Sequence, residues 1–168
     1  MNPTPNTAAV QLRGPTGPIW ARLYSPPPGE DPQPPLLVVL SGDYEPEELA
    51  RRCEQLCLRG RLVVLACPTP PLPETSPPTG TTPYASAEPG AYQGAGDEPT
   101  AYDAVVAEAK AIVGWAADHA GELDADPARL LLAGSGTGAA LAAEVARLAA
   151  AEGWPDLTLY DLLEGTPR

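Results

Sequence analysis

The stretch LLLAGSGTGAALAAEVARL, residues 130–148, decides how the rest of the chain is read. A short apolar run leads into Gly134-Ser135-Gly136-Thr137-Gly138, and an alanine-rich segment follows. An apolar strand, a tight glycine turn and a helix form the unit with which α/β proteins present a nucleophile or hold a phosphate. In the nucleophile elbow G-x-S-x-G the serine is the third residue of five. Here the third residue is Gly136, with Ser135 one place early and Thr137 one place late.

Outward from this turn, buried-strand patterns alternate with helical ones. Continuous apolar runs at 36–42 (LLVVLSG) and 61–67 (RLVVLAC) suit parallel strands covered on both faces, as does DADPARLLLAG before the turn. A strand at 19–25 and another at 156–163 complete the set. Pro46 opens a predicted helix that stops at Gly60, with Leu49, Cys53, Leu56 and Cys57 on its inner face. Thr100 caps a second, with Asp103 three residues on and Val105, Ala109, Ile112, Val113 and Ala116 as its buried stripe. The helix after the glycine turn ends near Gly153. The expected fold is a three-layer α/β sandwich with a mainly parallel sheet, in one domain spanning 1–168. Residues 1–9 read as a frayed end, 26–35 as a stiff proline connector, and 68–99 as a long Pro/Gly-rich loop or lid carrying Tyr84 and Tyr92.

Composition narrows function. A net charge of −12 and an isoelectric point near 4.3 exclude partners that need a basic patch, nucleic acid and anionic membranes among them. No apolar run reaches the ~18 residues of a membrane span. His119 is the only histidine and no second C-x-x-C pair exists, so no metal site is expected, and no cofactor is expected either; at a helix C-terminus His119 suits the dipole and solvent. Cys53, Cys57 and Cys67 are an odd count, and the N-terminus lacks a secretory leader, so the expectation is reduced core thiols in a cytoplasm.

Two chemistries fit the glycine turn. As a nucleotide loop, G-S-G-T-G resembles the glycine motif of S-adenosylmethionine-dependent methyltransferases, with Asp161 placed to meet a ribose. Leu132-Ala133 stand where an acidic residue should precede the glycines, and only 30 residues follow Gly138. As an elbow, the turn sits in a longer resemblance. LRGPTGPIWARLYSPPPG, PPLLVVLSG, RGRLVVLACPTPPLP, the 101–148 stretch with DPARLLLAGSGTG, and LTLYDLLEG follow in order. Together they resemble the hormone-sensitive-lipase-like branch of the α/β-hydrolases, esterases and lipases with a serine, a histidine, an acid and an oxyanion loop.

That resemblance places the nucleophile on Gly136, which has no side chain to attack with. It places the family's His-Gly-Gly-Gly oxyanion loop on Ser41-Gly42-Asp43-Tyr44, where Asp43 would oppose a developing negative charge. It also puts the acid and histidine after the last strand seen here, which makes a C-terminally shortened homologue the expectation. The reading is therefore a catalytically degenerate hydrolase homologue, a pseudo-esterase binding a small molecule or a partner protein. The ligand crevice would be formed by Gly42, Asp43, Tyr44, Gly134, Ser135, Gly136, Thr137 and Gly138, with backbone N–H groups at 136–138 holding a carboxylate or phosphate. The alternative is a weak ester hydrolase using Ser135, or acid–base chemistry by Asp43 with Tyr44. In the degenerate reading Ser135 hydrogen-bonds locally in the turn. The last strand, Leu157 through Tyr160, would be an exposed edge that pairs with a second copy or another protein.

Overall fold

The computed structural model describes residues 3–42, 45–70, 100–162 and 166–167. Asp43, Tyr44 and residues 71–99, with Tyr84 and Tyr92, lie outside the described residues. In chain order the elements are β1 (Asn6–Gly14), β2 (Gly17–Ser25), β3 (Pro35–Leu40), α1 (Pro46–Gly60), β4 (Val63–Cys67), α2 (Ala101–His119), β5 (Asp126–Gly134), α3 (Gly138–Glu152), β6 (Leu157–Asp161) and β7 (Thr166–Pro167). One sheet runs in the order β1-β2-β4-β3-β5-β6-β7. Its four central strands, β4, β3, β5 and β6, are parallel. The β1–β2 hairpin joins antiparallel to β4 at one side, and β7 joins antiparallel to β6 at the other.

Strands β3 and β4 bury both faces, and the side chains of the central strands divide by the two-residue period of a strand. Leu36, Val38, Leu40, Leu130 and Leu132 pack with Val105, Ile112 and Val113 of α2 and Leu141 and Val145 of α3. Leu37, Val39, Val64 and Ala133 pack with Cys53, Leu56 and Cys57 of α1. Two helices cover one face and one covers the other, which gives the three layers expected. The cap expected at Thr100 is a full capping box: Asp103 N–H donates to Thr100 Oγ1 at 3.1 Å, and Thr100 N–H donates to Asp103 Oδ2 at 3.0 Å.

Two expectations are corrected. Residues 6–9 are not frayed: they belong to β1, which pairs along its whole length with β2, from Asn6 opposite Ser25 to Gly14 opposite Gly17. Most of β1 is exposed and only Leu12 is buried, so no apolar alternation marks it in the sequence. Backbone pairing to β2, rather than side-chain burial, makes it a strand. The second correction concerns β6. Tyr160 and Asp161 are paired antiparallel with Pro167 and Thr166. Within β6, Leu157 through Leu159 have no neighbouring strand on the outer side among the described residues.

The connector expected at 26–35 is held to the lower end of β5 by Arg129. Its guanidinium pairs with Asp126 and Asp31, each at 2.8 Å, and donates to the Gln33 carbonyl. The Arg129 bond holds the Asp31 carboxyl below the usual carboxylate range, and the Ala128 N–H, with Arg129 second, does the same for Asp126.

Candidate functional site

At the upper end of the sheet, β3, β5 and the start of α3 approach more closely than side chains allow. A Cβ on Gly134 would lie 1.9 Å from the Gly138 carbonyl oxygen. One on Gly138 would lie 2.1 Å from the Leu40 carbonyl oxygen. One on Gly42 (φ +54°) would meet Gly138 N and Thr137 Oγ1, each at 2.6 Å. These glycines are what let the strand turn into the helix without separating the sheet. Between them Gly136 (φ +58°) forms the exposed apex. The turn thus has the sharp strand-to-helix shape of a nucleophile elbow, with a hydrogen where a nucleophile's side chain would stand.

The neighbouring polar groups are already partnered. Ser135 is buried, and its hydroxyl donates to the Ser41 carbonyl at 3.2 Å. The local bond expected within the turn is therefore corrected to one spanning from β5 to the end of β3. The expectation that N–H groups at 136–138 face the crevice fails at Gly138, whose N–H donates to the Ser135 carbonyl at 2.9 Å. Ala139 N–H likewise donates to the Gly136 carbonyl at 3.2 Å. The turn winds directly into the helix, so its first donors close on its own carbonyls. Gly42 N–H donates to the buried Thr69 Oγ1 at 3.0 Å.

His119 stays where the sequence put it, at the end of α2. Its Nδ1 lies 2.8 Å from the Trp115 carbonyl, and its ring stacks on Trp115 with centroids 4.3 Å apart. The chain passes from there into the start of β5, so the nine residues of that strand, ~3.3 Å each, separate it from the glycine turn.

Beside the turn lies a crevice of about 290 Å³. Ala133, Gly134, Ser135 and Gly136 form one wall. Ala139, Ala142 and Ala143 of α3 form the second. Leu159, Tyr160, Asp161 and Leu162 at the end of β6, with Leu49 and Arg52 of α1, close it. Of the residues expected to line a crevice, Gly134, Ser135 and Gly136 do so, whereas Gly42, Thr137 and Gly138 are not in its wall. Tyr160 and Asp161 stand at the end of β6, where ligands of parallel sheets bind. Arg52 was missed. It stands three residues after Leu49 on the helix's inner side, a position at which a charged residue reads as solvated face.

Arg52 is fixed from two nitrogens: Nε donates to the Leu162 carbonyl at 3.1 Å, and Nη2 donates to the same oxygen. Asp161 is buried, and burial raises the Tyr160 hydroxyl above its ordinary pKa. The thiols offer no alternative nucleophile. Burial pushes Cys53 up to about 12 and Cys57 up to about 11, and raises Cys67 as well, so all three stay protonated at neutral pH.

Comparison with known proteins follows the same line. Residues 95–165 match a family model described as alpha/beta hydrolase fold. A search of curated protein sequences found no match. Among solved structures, the chain is similar to a hyperthermophilic esterase from the archaeon Pyrobaculum calidifontis, at 24% identity and TM-score 0.66, covering 90% of this chain and 42% of that one. It is similar also to EstE1, a thermophilic and thermostable carboxylesterase cloned from a metagenomic library, at 25% identity and TM-score 0.64, covering 91% and 44%. The chain therefore spans less than half the length of these structures. It has the α/β-hydrolase fold, and the resemblance to the hormone-sensitive-lipase-like branch is upheld. Of the two readings of the glycine turn, these findings favour the elbow over the nucleotide loop.

Proposed function

We propose that this α/β-hydrolase-fold chain is a catalytically degenerate esterase homologue that binds a small molecule in the crevice beside its elbow. The observation that carries the proposal is Gly136 at the apex of an otherwise intact turn. Acyl transfer by this fold begins with attack by a hydroxyl at that position. The adjacent hydroxyl, Ser135, is buried and engaged with the Ser41 carbonyl. The crevice itself is kept: it opens beside the apex, past Ala139 and Ala143 on the exposed side of α3. The same proposal places the protein in the cytoplasm, a compartment that suits three free, buried thiols. Among the described residues, no helix is long and apolar enough to cross a membrane.

The second reading is a weak ester hydrolase with Ser135 as nucleophile, and the likeness to carboxylesterases favours it. Hydrolysis of p-nitrophenyl acetate and butyrate, by the protein and its Ser135→Ala variant, separates the two. Equal, background rates are the expected result. Turnover that the substitution abolishes would replace the binding reading with the catalytic one.

A partner-binding role attaches to β6. Its outer rim at Leu157 through Leu159 is half-buried at Leu157 and Leu159, and we propose that it pairs with a second copy of the chain.

A further inference from the structure

We infer that the outer edge of β1 docks an extended acidic segment of a partner protein, which joins the sheet as a further strand. This surface lies at the other end of the sheet from β6 and is independent of the crevice. Strand β1 ends the sheet on its side and pairs with β2 alone among the described residues. Sheet edges are ordinarily blunted by lysine, proline, a bulge or shortness. Strand β1 has none of these. Its nine residues contain no lysine or proline, and its register with β2 runs unbroken from Asn6 to Gly14. Thr7, Ala8, Ala9, Gln11 and Arg13 are all exposed.

The backbone of this edge is set to receive a strand. In an antiparallel pair, opposite residues that exchange both hydrogen bonds alternate with opposite residues that exchange none. Pro18 has no N–H to exchange with Arg13, which stands opposite it. The next pair, Gly14 and Gly17, closes a two-residue hairpin loop. By this alternation Thr7, Ala9, Gln11 and Arg13 carry their N–H and C=O groups on the side away from β2. An added strand meets these donors and acceptors in a row about 20 Å long. A nucleic-acid strand has no matching ladder of its own.

Charge selects an acidic occupant. No aspartate or glutamate precedes Glu30, so the net charge of −12 is carried entirely by the chain from Glu30 onward. The hairpin instead holds Arg13 and Arg22, both exposed. They share one face with Trp20, because Arg13 stands opposite Pro18, Gln11 opposite Trp20 and Ala9 opposite Arg22. Trp20 is 60% exposed. Tryptophan and arginine are the side chains that most often anchor protein interfaces. Arg13 adjoins the added strand directly. Arg22 reaches it across Ala9, whose side chain is one methyl, over two strand spacings of about 4.8 Å each. Helix α1 brings Glu54 toward the buried Tyr24, at the end of β2 remote from Arg13, and Arg22 acts on the same tyrosine. On the opposite face Val10 packs against the core, so intervening side chains of the segment meet apolar ground. The segment that fits alternates acidic and apolar residues. A second copy would present the same two arginines instead of carboxylates.

The test titrates a heptapeptide of alternating glutamate and valine into the full chain, to about 1 mM, the weak end of specific association. Backbone amide shifts and hydrogen exchange are the readout. The amides of Thr7, Ala9, Gln11 and Arg13 should shift saturably and become protected, and the lysine–valine counterpart should leave them unchanged. Arg13→Gln and Arg22→Gln should each weaken binding by up to about five-fold at low salt. Ala9→Pro removes an outward donor without touching a bond to β2, and should abolish binding with the rest of the spectrum retained. No saturable shift with the glutamate peptide would overturn the proposal. Undiminished binding in Ala9→Pro, or in the two arginine variants combined, would do the same. So would equal binding of the lysine peptide, or tighter binding of a single-stranded oligothymidylate of equal charge. A dimer that Ala9→Pro breaks and Thr158→Pro does not would seat a second copy on β1 and overturn it as well.

Discussion

Replacing Gly138 by alanine tests whether the close approach of strand and helix is what builds the elbow. The added Cβ would sit 2.1 Å from the Leu40 carbonyl oxygen and 2.9 Å from its carbon. Both are backbone atoms, so relief requires α3 to move away from β3 by roughly 1 Å, given carbon–oxygen contacts of about 3.3 Å. Overpacking of this kind costs about 3 kcal/mol or more. Two other glycines calibrate the measurement. Gly153 (φ +77°) has nothing within 4 Å of its Cβ position, so Gly153→Ala carries only the left-handed backbone cost of about 1–2 kcal/mol. Gly121 has neither a positive φ nor a neighbour within 4 Å, so Gly121→Ala should be nearly neutral. Urea denaturation of the three variants should therefore rank Gly138→Ala well below Gly153→Ala, and Gly153→Ala below Gly121→Ala. For a chain of this length, 3 kcal/mol corresponds to a fall of about 6–12 °C in Tm. A Gly138→Ala protein as stable as Gly121→Ala would refute the close packing on which the elbow assignment rests.

Thr100→Ala removes the bond that Asp103 N–H donates to Thr100 Oγ1, leaves the one from Thr100 N–H to Asp103, and should cost about 1 kcal/mol by the same denaturation assay. The buried thiols predict alkaline sensitivity. Cys53 and Cys57 have folded pKa values raised above the ordinary 9.0, so they are neutral in both states below that pH and contribute no slope. Above it the unfolded chain ionises first, and stability falls by up to about 1.4 kcal/mol per pH unit per thiol until the folded values, about 11 and about 12, are passed. Cys57→Ala should flatten the decline between pH 9 and 11, as read by denaturation midpoints. The rim of β6 predicts a dimer in light scattering at high micromolar concentration, and Thr158→Pro should shift it to monomer because proline removes a ladder donor; a monodisperse wild-type monomer would remove the pairing proposal.

How much was legible in the sequence depended on where burial left a pattern. Strands β3 and β4 bury every side chain but Pro35, and their apolar runs are visible in the sequence. Helix α1 was bounded by the proline and glycine that bound it in space. Strand β1 left no such trace, since eight of its nine residues are not buried and its order comes from pairing with β2. At the site, the glycines announced the turn because close backbone approach admits no other residue. The crevice was only partly visible. Arg52 reaches it from α1, more than eighty residues before the glycines, and its partner is a backbone carbonyl of Leu162 that carries no sequence signature. The hydrogen-bonding fate of Ser135 was hidden for the same reason: its acceptor is the carbonyl of Ser41, and any residue there would supply one.

The central claim, that the elbow carries no activated nucleophile, is tested most directly by exposing the protein to a fluorophosphonate and measuring intact mass, with a reactive carboxylesterase alongside as control. The account predicts full labelling of the control and none of this protein. A single phosphonyl adduct mapped to Ser135 by peptide mass, and lost in Ser135→Ala, would contradict it.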